Sequence, residues 1–438
     1  MKSSPPPPPR FLHHLLLLLI SSAFLLPHSS AATSAYPTQA HPTRSGYLTV
    51  NSTTRSAIFY TYYESQTFDK ESQTPILIWL QGGPGCSSML ANFFELGPWL
   101  VNQNLSLEPN PYSWNKIFGL LFLDNPIGTG FSIAASSEEI PRNQKDVSKH
   151  LLTAINRFLA LDKSFKTRPI YLTGESYAGK YLPALGYYIL RKNAHLPQQK
   201  RINLAGIAIG NGLTDPQTQV STHAVNCYNL GLINEEQTAH LEKIQVQAVR
   251  FAKSREWNES ANARNRVLET LTNMTGLATL YDFRRLSPYP NKVVARFLNG
   301  DEVKRALGVK ESMSFELCSK AVGAALHDDV MKSVRGMVGY LVEKGTKLLL
   351  YQGQCDLRDG VFSTSSWVEK MEGVGIDGFL KAGREVWRVD GKLAGYVQKW
   401  KNLSHAVVLN AGHLVPTDQP LNSQVMIQDW VLDRGLFG

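Results

Sequence analysis

Gly174 to Gly179 reads GESYAG, directly after the apolar run PIYLT and at the start of a helical pattern. A serine on such a strand-to-helix turn projects its hydroxyl from the strand end, and small neighbours are needed because backbone segments crowd there. The usual pattern is G-x-S-x-G; here Ala178 takes the last glycine position. Taken alone, Ser176 could equally be a helix N-cap. Two residues much further along the chain make it a candidate nucleophile. A serine hydroxyl attacks only when a base takes its proton, and an imidazole oriented by a carboxylate does this. Downstream lies YQGQCD with Asp356, then NAGHLVPTDQP with His413 on a glycine-containing loop. The order Ser, Asp, His is that of α/β-hydrolases. Asp359 is a rival to Asp356 for the carboxylate role. An attacking serine also needs two backbone N–H donors for the developing oxyanion. WLQGGPGCSS, residues 79–88, supplies a glycine-rich loop after another apolar run, and Gly83 can present its N–H unobstructed. The Tyr177 N–H, just after the nucleophile, is the expected partner.

Buried strands must hold these loops. Ala57 to Tyr63, Thr74 to Leu80, Gly119 to Leu123, Pro169 to Thr173, Leu204 to Ile209 and Lys347 to Tyr351 read as strands, most of them continuously apolar as in a sheet covered on both faces. Helical patterns fall between them at about 143–160, 176–191 and 330–344. The alternation indicates an α/β fold with a mostly parallel central sheet flanked by helices. Residues 214–326 break the rhythm, with stretches such as EEQTAHLEKIQVQAVRFAKSREW, and read as a mainly helical cap inserted into the core; the alternative is an independent second domain. Near the C-terminus, alternation around Asp390-Gly391 and Lys401-Asn402 suggests antiparallel strands at one sheet edge. The expected division is a leader over 1–32, a core over 33–213 and 327–438, and the cap between.

The leader reads as a secretory signal peptide. Lys2 and Arg10 precede an apolar run from Phe11 to Leu26, and Ser30 and Ala32 stand at the −3 and −1 positions of a cut before Thr33. The run is short for a bilayer span, and nothing later is long and apolar enough, so no membrane anchor is expected in the mature form. Secretion gives meaning to five sequons, at Asn51, Asn104, Asn258, Asn273 and Asn402, as expected surface positions for glycan. It also permits disulfides among Cys86, Cys227, Cys318 and Cys355, whose spacing alone leaves the pairing open.

Composition bounds the rest. At 438 residues, 43% hydrophobic and 18% charged, the chain can bury a large core and is too apolar to be disordered. The net charge of +9 is spread thinly, with no run of five basic residues, so no nucleic-acid partner is expected. No metal cluster or dinucleotide fingerprint stands out, and no cofactor is implied.

These blocks resemble the serine carboxypeptidase family, peptidase family S10. WLQGGPGCSS, ELGPW, DNPIGTGFS, GESYAGKYLP, IGNG, YQGQCD and AGHLVPTDQP are similar to its motifs, in family order, over about 76–420. DNPIGTGFSIAAS and GNGLTDPQTQVSTHAVN are most similar to the plant serine carboxypeptidase-like 50 group. The resemblance implies a triad of Ser176, Asp356 and His413, which decides against Asp359, and an oxyanion hole from the Gly83 and Tyr177 amides. It further implies that Gln81, Glu95 and Glu175 bind the substrate's terminal carboxylate. Most relatives carry Asn where Gln81 stands, and a branch similar to vitellogenic carboxypeptidases shares the Gln. Two ionised glutamates would repel a carboxylate, whereas a pair sharing a proton can donate to it, which points to an acidic optimum. Glu95 in ELGP could instead be a solvated helix end. The resemblance also implies a Cys86–Cys318 bridge, leaving Cys227 and Cys355 free. The activity so implied is release of C-terminal amino acids from peptides by a secreted or vacuolar enzyme. An acyltransferase using glucose esters is the alternative, since plant relatives use the same triad for it, and a non-catalytic secreted binding protein is a third reading.

Overall fold

In the computed structural model, which describes residues 3–4, 36–67, 73–372 and 376–438, the apolar runs are the inner strands of one ten-stranded sheet. Apart from residues 3–4, the leader expected over 1–32 lies outside the described residues. Among the described residues the twelve strands are β1 (Arg44–Thr49), β2 (Ala57–Tyr63), β3 (Ile76–Leu80), β4 (Trp99–Val101), β5 (Leu107–Pro109), β6 (Gly119–Leu123), β7 (Ile170–Glu175), β8 (Leu204–Gly210), β9 (Lys347–Gly353), β10 (Arg384–Val389), β11 (Lys392–Trp400) and β12 (Leu403–Val408). Their order in the sheet is β1-β2-β6-β3-β7-β8-β9-β12-β11-β10, with β4 and β5 forming a separate hairpin. From β6 to β12 every pairing is parallel, and antiparallel pairs close both edges. Every residue of β3, β6 and β7 is buried, whereas β10 at the edge is mostly exposed. Burial on both faces is why the inner strands are apolar without alternation. At the C-terminal edge Asp390 and Gly391 both have positive φ, as a two-residue hairpin turn between twisted strands requires.

Two helices start later than their patterns suggest. The helix expected from Ser176 begins at Ala178, because Ser176 sits at φ 61°, outside the right-handed region. The helix expected from Val330 begins at Arg335, because His327–Asp329 form a 3₁₀ turn whose Asp329 side chain bonds back into the core. Between β8 and β9 there are helices at Pro216–Val220, His223–Asn229, Glu235–Lys253, Trp257–Thr275, Lys292–Leu298, Asp301–Leu307, Lys320–Ala325 and Arg335–Glu343, and no strand among the described residues. This stretch divides between two hydrophobic clusters. Leu241, Ala248, Val267 and Leu271 join the core on one side of the sheet. Val294, Phe297, Leu307 and Phe315 join a second cluster with Tyr36, Phe93 and Phe131.

Cys86 and Cys318 form a disulfide across 232 residues, and Cys227 and Cys355 are free and buried. The bridge is flanked by backbone bonds from Ser87 N to Leu317 O at 2.8 Å and from Ser319 N to Gly85 O at 2.8 Å. It thus pins the chain around Cys318 to the glycine-rich loop. Replacing both cysteines by serine is expected to cost about 2–4 kcal/mol, by freeing the unfolded chain from a long loop constraint. Calorimetry should show a lower Tm, and an unchanged Tm would contradict this.

Candidate active site

β7 ends on Glu175, and the chain then turns so sharply that Ser176 takes a left-handed conformation. Ser176 N donates to Gly210 O at 2.9 Å, while Ser176 O accepts from Gly179 N and Leu213 N, each at 2.9 Å. The strained residue is therefore held from both sides, as such a conformation needs. The glycine-rich loop after β3 presses directly on this turn. A Cβ on Gly82 would lie 2.6 Å from Tyr177 N and 2.7 Å from the Ser176 Cβ, so only glycine fits. Next to it Gly83, at φ 113°, is exposed and lines one cavity together with Ser176 and Tyr177. Ala178 is tolerated in place of a glycine because Gly174 opposite it has no side chain.

The loops after β9 and β12 bring Asp356 and His413 together. Asp356 Oδ2 accepts from His413 Nδ1 at 2.7 Å. The same oxygen accepts from Asn211 Nδ2 at 2.7 Å and from Asp359 N at 3.3 Å, and Oδ1 accepts from Arg358 N at 2.8 Å. Asp359 bonds Gln219 instead and makes no bond to His413, so the rival carboxylate is off the imidazole. Burial opposes the charged form of His413, yet the Asp356 carboxylate, with Glu175 and Asp359 adding, raises its pKa above the ordinary value. His413 Nε2 is buried without a hydrogen-bond partner among the described residues, Ser176 included. Catalytic bonds are often long before substrate binds.

Behind this group lies a second one. Trp79 Nε1 donates to Gln81 Oε1 at 2.8 Å, and Gln81 Nε2 donates to Glu175 Oε1 at 2.7 Å. Glu95, at the C-terminal end of the helix Met89–Phe94, is buried rather than solvated and lies close to Glu175. If both were ionised, Glu95 Oε1, Glu95 Oε2 and Glu175 Oε2 would be buried acceptors with no donor. One proton between them relieves this. Burial raises the Glu95 pKa to about 8, with Asp418 adding and the contact with Glu175 opposing. Burial also raises Glu175 well above the carboxylate range, and the charge of Glu95 adds to it.

A family model described as serine carboxypeptidase matches residues 35–433. The chain belongs to the serine carboxypeptidase family. It is a serine-type carboxypeptidase by class, built on the α/β-hydrolase fold. It is 54% identical over 406 residues to "Serine carboxypeptidase-like 50" of Arabidopsis thaliana, covering 92% of this chain and 90% of the relative. It is 34% identical to "Probable serine carboxypeptidase CPVL" of Dictyostelium discoideum, over 89% of this chain and 78% of that one. Among solved structures, the prohormone-processing carboxypeptidase Kex1 of Saccharomyces cerevisiae superposes with a TM-score of 0.81 at 26% identity, over 89% and 91% of the two chains.

Around this carboxypeptidase's site stand residues that sequence reasoning did not single out. Asn211, in the IGNG block, donates to Asp356 and accepts from Gly353 N at 3.2 Å. Tyr281 O accepts from His413 N at 2.6 Å, and its ring lies 4.6 Å from the imidazole. Asp418 accepts from Gly412 N at 2.7 Å and so anchors the histidine loop. Asn211 and Asp418 carried a signal, through the IGNG and AGHLVPTDQP motifs, whereas Tyr281 lies in no such motif. Of the five sequons, Asn104, Asn258 and Asn273 are exposed and Asn51 half-buried. Asn402 differs: its amide donates to Val342 O at 3.0 Å and to Thr346 O at 2.8 Å, and a glycan would displace one of these bonds. Among the described residues, no helix is long and apolar enough to cross a membrane.

Proposed function

We propose that the protein releases C-terminal amino acids from peptides in the secretory pathway or vacuole, through an acyl-enzyme on Ser176. The observation that carries this reading is the buried Gln81–Glu175–Glu95 group directly behind the triad residues. A group able to hold one proton at neutral pH can donate to a terminal carboxylate, which an endopeptidase or esterase has no need to bind. In this reading His413 takes the Ser176 proton as the hydroxyl attacks the scissile carbonyl. The Gly83 and Tyr177 amides receive the oxyanion, and His413 returns the proton to the departing amino group. Water then repeats the sequence to free the acyl chain. Asp356 holds the imidazole in the tautomer with its proton on Nδ1. Residues 214–326 would form the cap that shapes access. Asn51, Asn104, Asn258 and Asn273 are proposed glycan sites, with Asn402 the least suited of the five.

The pH dependence arises from the two groups. Deprotonating the glutamate pair puts negative charge where the substrate carboxylate sits, so kcat/KM on peptides falls as pH rises through about 8. His413 must be neutral to act as base, and its raised pKa brings a second loss toward acid. The acidic optimum expected from the glutamates alone therefore extends only as far as His413 stays neutral, and the profile is a bell. Glu95→Gln leaves Glu175 as the one carboxyl of the pair that can ionise, without the Glu95 charge that helps to raise it, and should move the alkaline limb to lower pH. A wild-type profile on blocked dipeptides that stays flat from pH 7 to 10 would remove the role of the pair. If C-terminal residues are not released at any pH while Ser176 still reacts with a fluorophosphonate, the peptidase reading fails and acyl glucose esters become the substrates to try.

A further inference from the structure

The cavity in front of Ser176, about 150 Å³, carries two guanidinium groups that the acyl-enzyme mechanism does not use. It is lined by Gly83, Ser176 and Tyr177 and by Arg264, Arg358 and Asp359, with Ala261, Asn265 and Gly323 from residues 214–326. Arg264 is only 4% exposed, and its guanidinium makes no hydrogen bond among the described residues. Its carboxylate neighbour, Asp359 Oδ1, is 3.8 Å away, and Arg358 Nε is 3.9 Å from Asp359 Oδ2. One carboxylate thus serves two cations and is within hydrogen-bond reach of neither. Asp359 is itself occupied by Gln219, and Asp356 by His413. Arg358 is otherwise held by its face, 5.1 Å from the Tyr281 ring centre. A buried guanidinium whose planar fork of donors is unfilled is built to receive an acceptor pair. Burial holds the Arg264 pKa down to about 10, which leaves it charged throughout the working range.

We propose that Arg264 and Arg358 form an anion subsite that selects peptides with an acidic side chain on the acyl side of the scissile bond. The side is set by the geometry: none of Gln81, Glu95 and Glu175, the proposed seat of the leaving residue's carboxylate, lines this cavity. The assignment rests on the peptidase reading.

The test uses four blocked dipeptides, Glu-Phe, Gln-Phe, Leu-Phe and Lys-Phe, at pH 7, between the two limbs of the bell, where a free glutamyl carboxyl with a pKa of about 4.3 is ionised. For the wild-type glycoprotein, kcat/KM on Glu-Phe should exceed that on isosteric Gln-Phe by about tenfold or more, since a site built for a charged partner rejects the analogue lacking it. Arg264→Met should bring that ratio to about one, and Arg264→Lys, which keeps the charge and loses the fork, should restore part of it. Fluorophosphonate labelling of Ser176 reports that each variant is folded. No preference for Glu-Phe in the wild type overturns the proposal. So does an Arg264→Met variant that weakens all four peptides by one factor, which would assign the guanidiniums to the terminal carboxylate. Calorimetric binding of Glu-Phe and Gln-Phe to Ser176→Ala separates the two readings. Tenfold tighter binding of Glu-Phe sustains the subsite even if the wild type cleaves nothing, an outcome that would sink only the peptidase assignment. Equal binding overturns the subsite whatever the turnover.

Discussion

Ser176→Ala is expected to lower kcat on a blocked dipeptide by about 10⁴- to 10⁶-fold, with KM little changed. The Oγ is the atom that would bond the acyl group, and a neighbouring hydroxyl cannot replace it from the same position. Ser176 reaches that position through a φ of 61° that its neighbours enforce, with Gly210 O, Gly179 N and Leu213 N all bonded to its backbone. Alanine takes the same backbone with a Cβ of the same size, so the fold and the peptide site should survive. The measurement is release of the C-terminal amino acid at the pH optimum, set beside binding of the same peptide. Residual activity above about one part in a thousand would mean that Ser176 is not the nucleophile.

Asp356→Asn should cost about 10⁴-fold in kcat, because the geometry leaves the amide no comfortable orientation. Oδ1 accepts from Arg358 N, and Oδ2 accepts from His413 Nδ1, Asn211 Nδ2 and Asp359 N. Whichever way asparagine sits, its NH₂ faces a donor. If it faces His413, the imidazole is driven to the tautomer with its proton on Nε2, where it cannot accept one from serine. Electrostatics supplies a second signature. The Asp356 carboxylate is the main group that raises the His413 pKa against the cost of burial. Removing that charge lowers the pKa, so the acid limb of the residual activity should move to lower pH. Asp359→Asn is the contrast: with no bond between Asp359 and His413, its effect on kcat should stay within about tenfold. Equal losses in the two variants would contradict the assignment of the carboxylate role to Asp356.

Much of the scaffold was legible because its signals are local. A run such as ILIWL reads as a strand buried on both faces, since it is short, rich in β-branched and aromatic residues, and lacks the alternation of a half-exposed strand. GESYAG announces a turn because only small residues let β7, the helix after it and the loop from Gly82 approach so closely. The places where local reading slipped are informative. The helical pattern running back to Ser176 ignored the left-handed conformation that this residue takes at the turn. The pattern running back to Val330 ignored Asp329, whose carboxylate is claimed by Lys180 at 2.8 Å and by the Tyr177 hydroxyl at 2.8 Å.

The residue types able to attack, accept a proton and cradle an oxyanion were thus written in short motifs, because each such task admits few side chains within a few positions. What tertiary structure decided was which of them meet and in which charge state. Asp356 and Asp359 are chemically identical and three positions apart; only the approach of the loop carrying His413, 57 residues on, makes one of them its partner. Gln81, 94 residues from Glu175, becomes its donor only when β3 and β7 lie side by side. Asn211, 145 residues from Asp356, finds it across the ends of β8 and β9. Glutamates that would be ionised on an open surface keep a proton here because burial withdraws the water that would stabilise two charges. A motif can specify chemistry at a distance of a few residues; desolvation and pairing arise only where distant segments exclude solvent together.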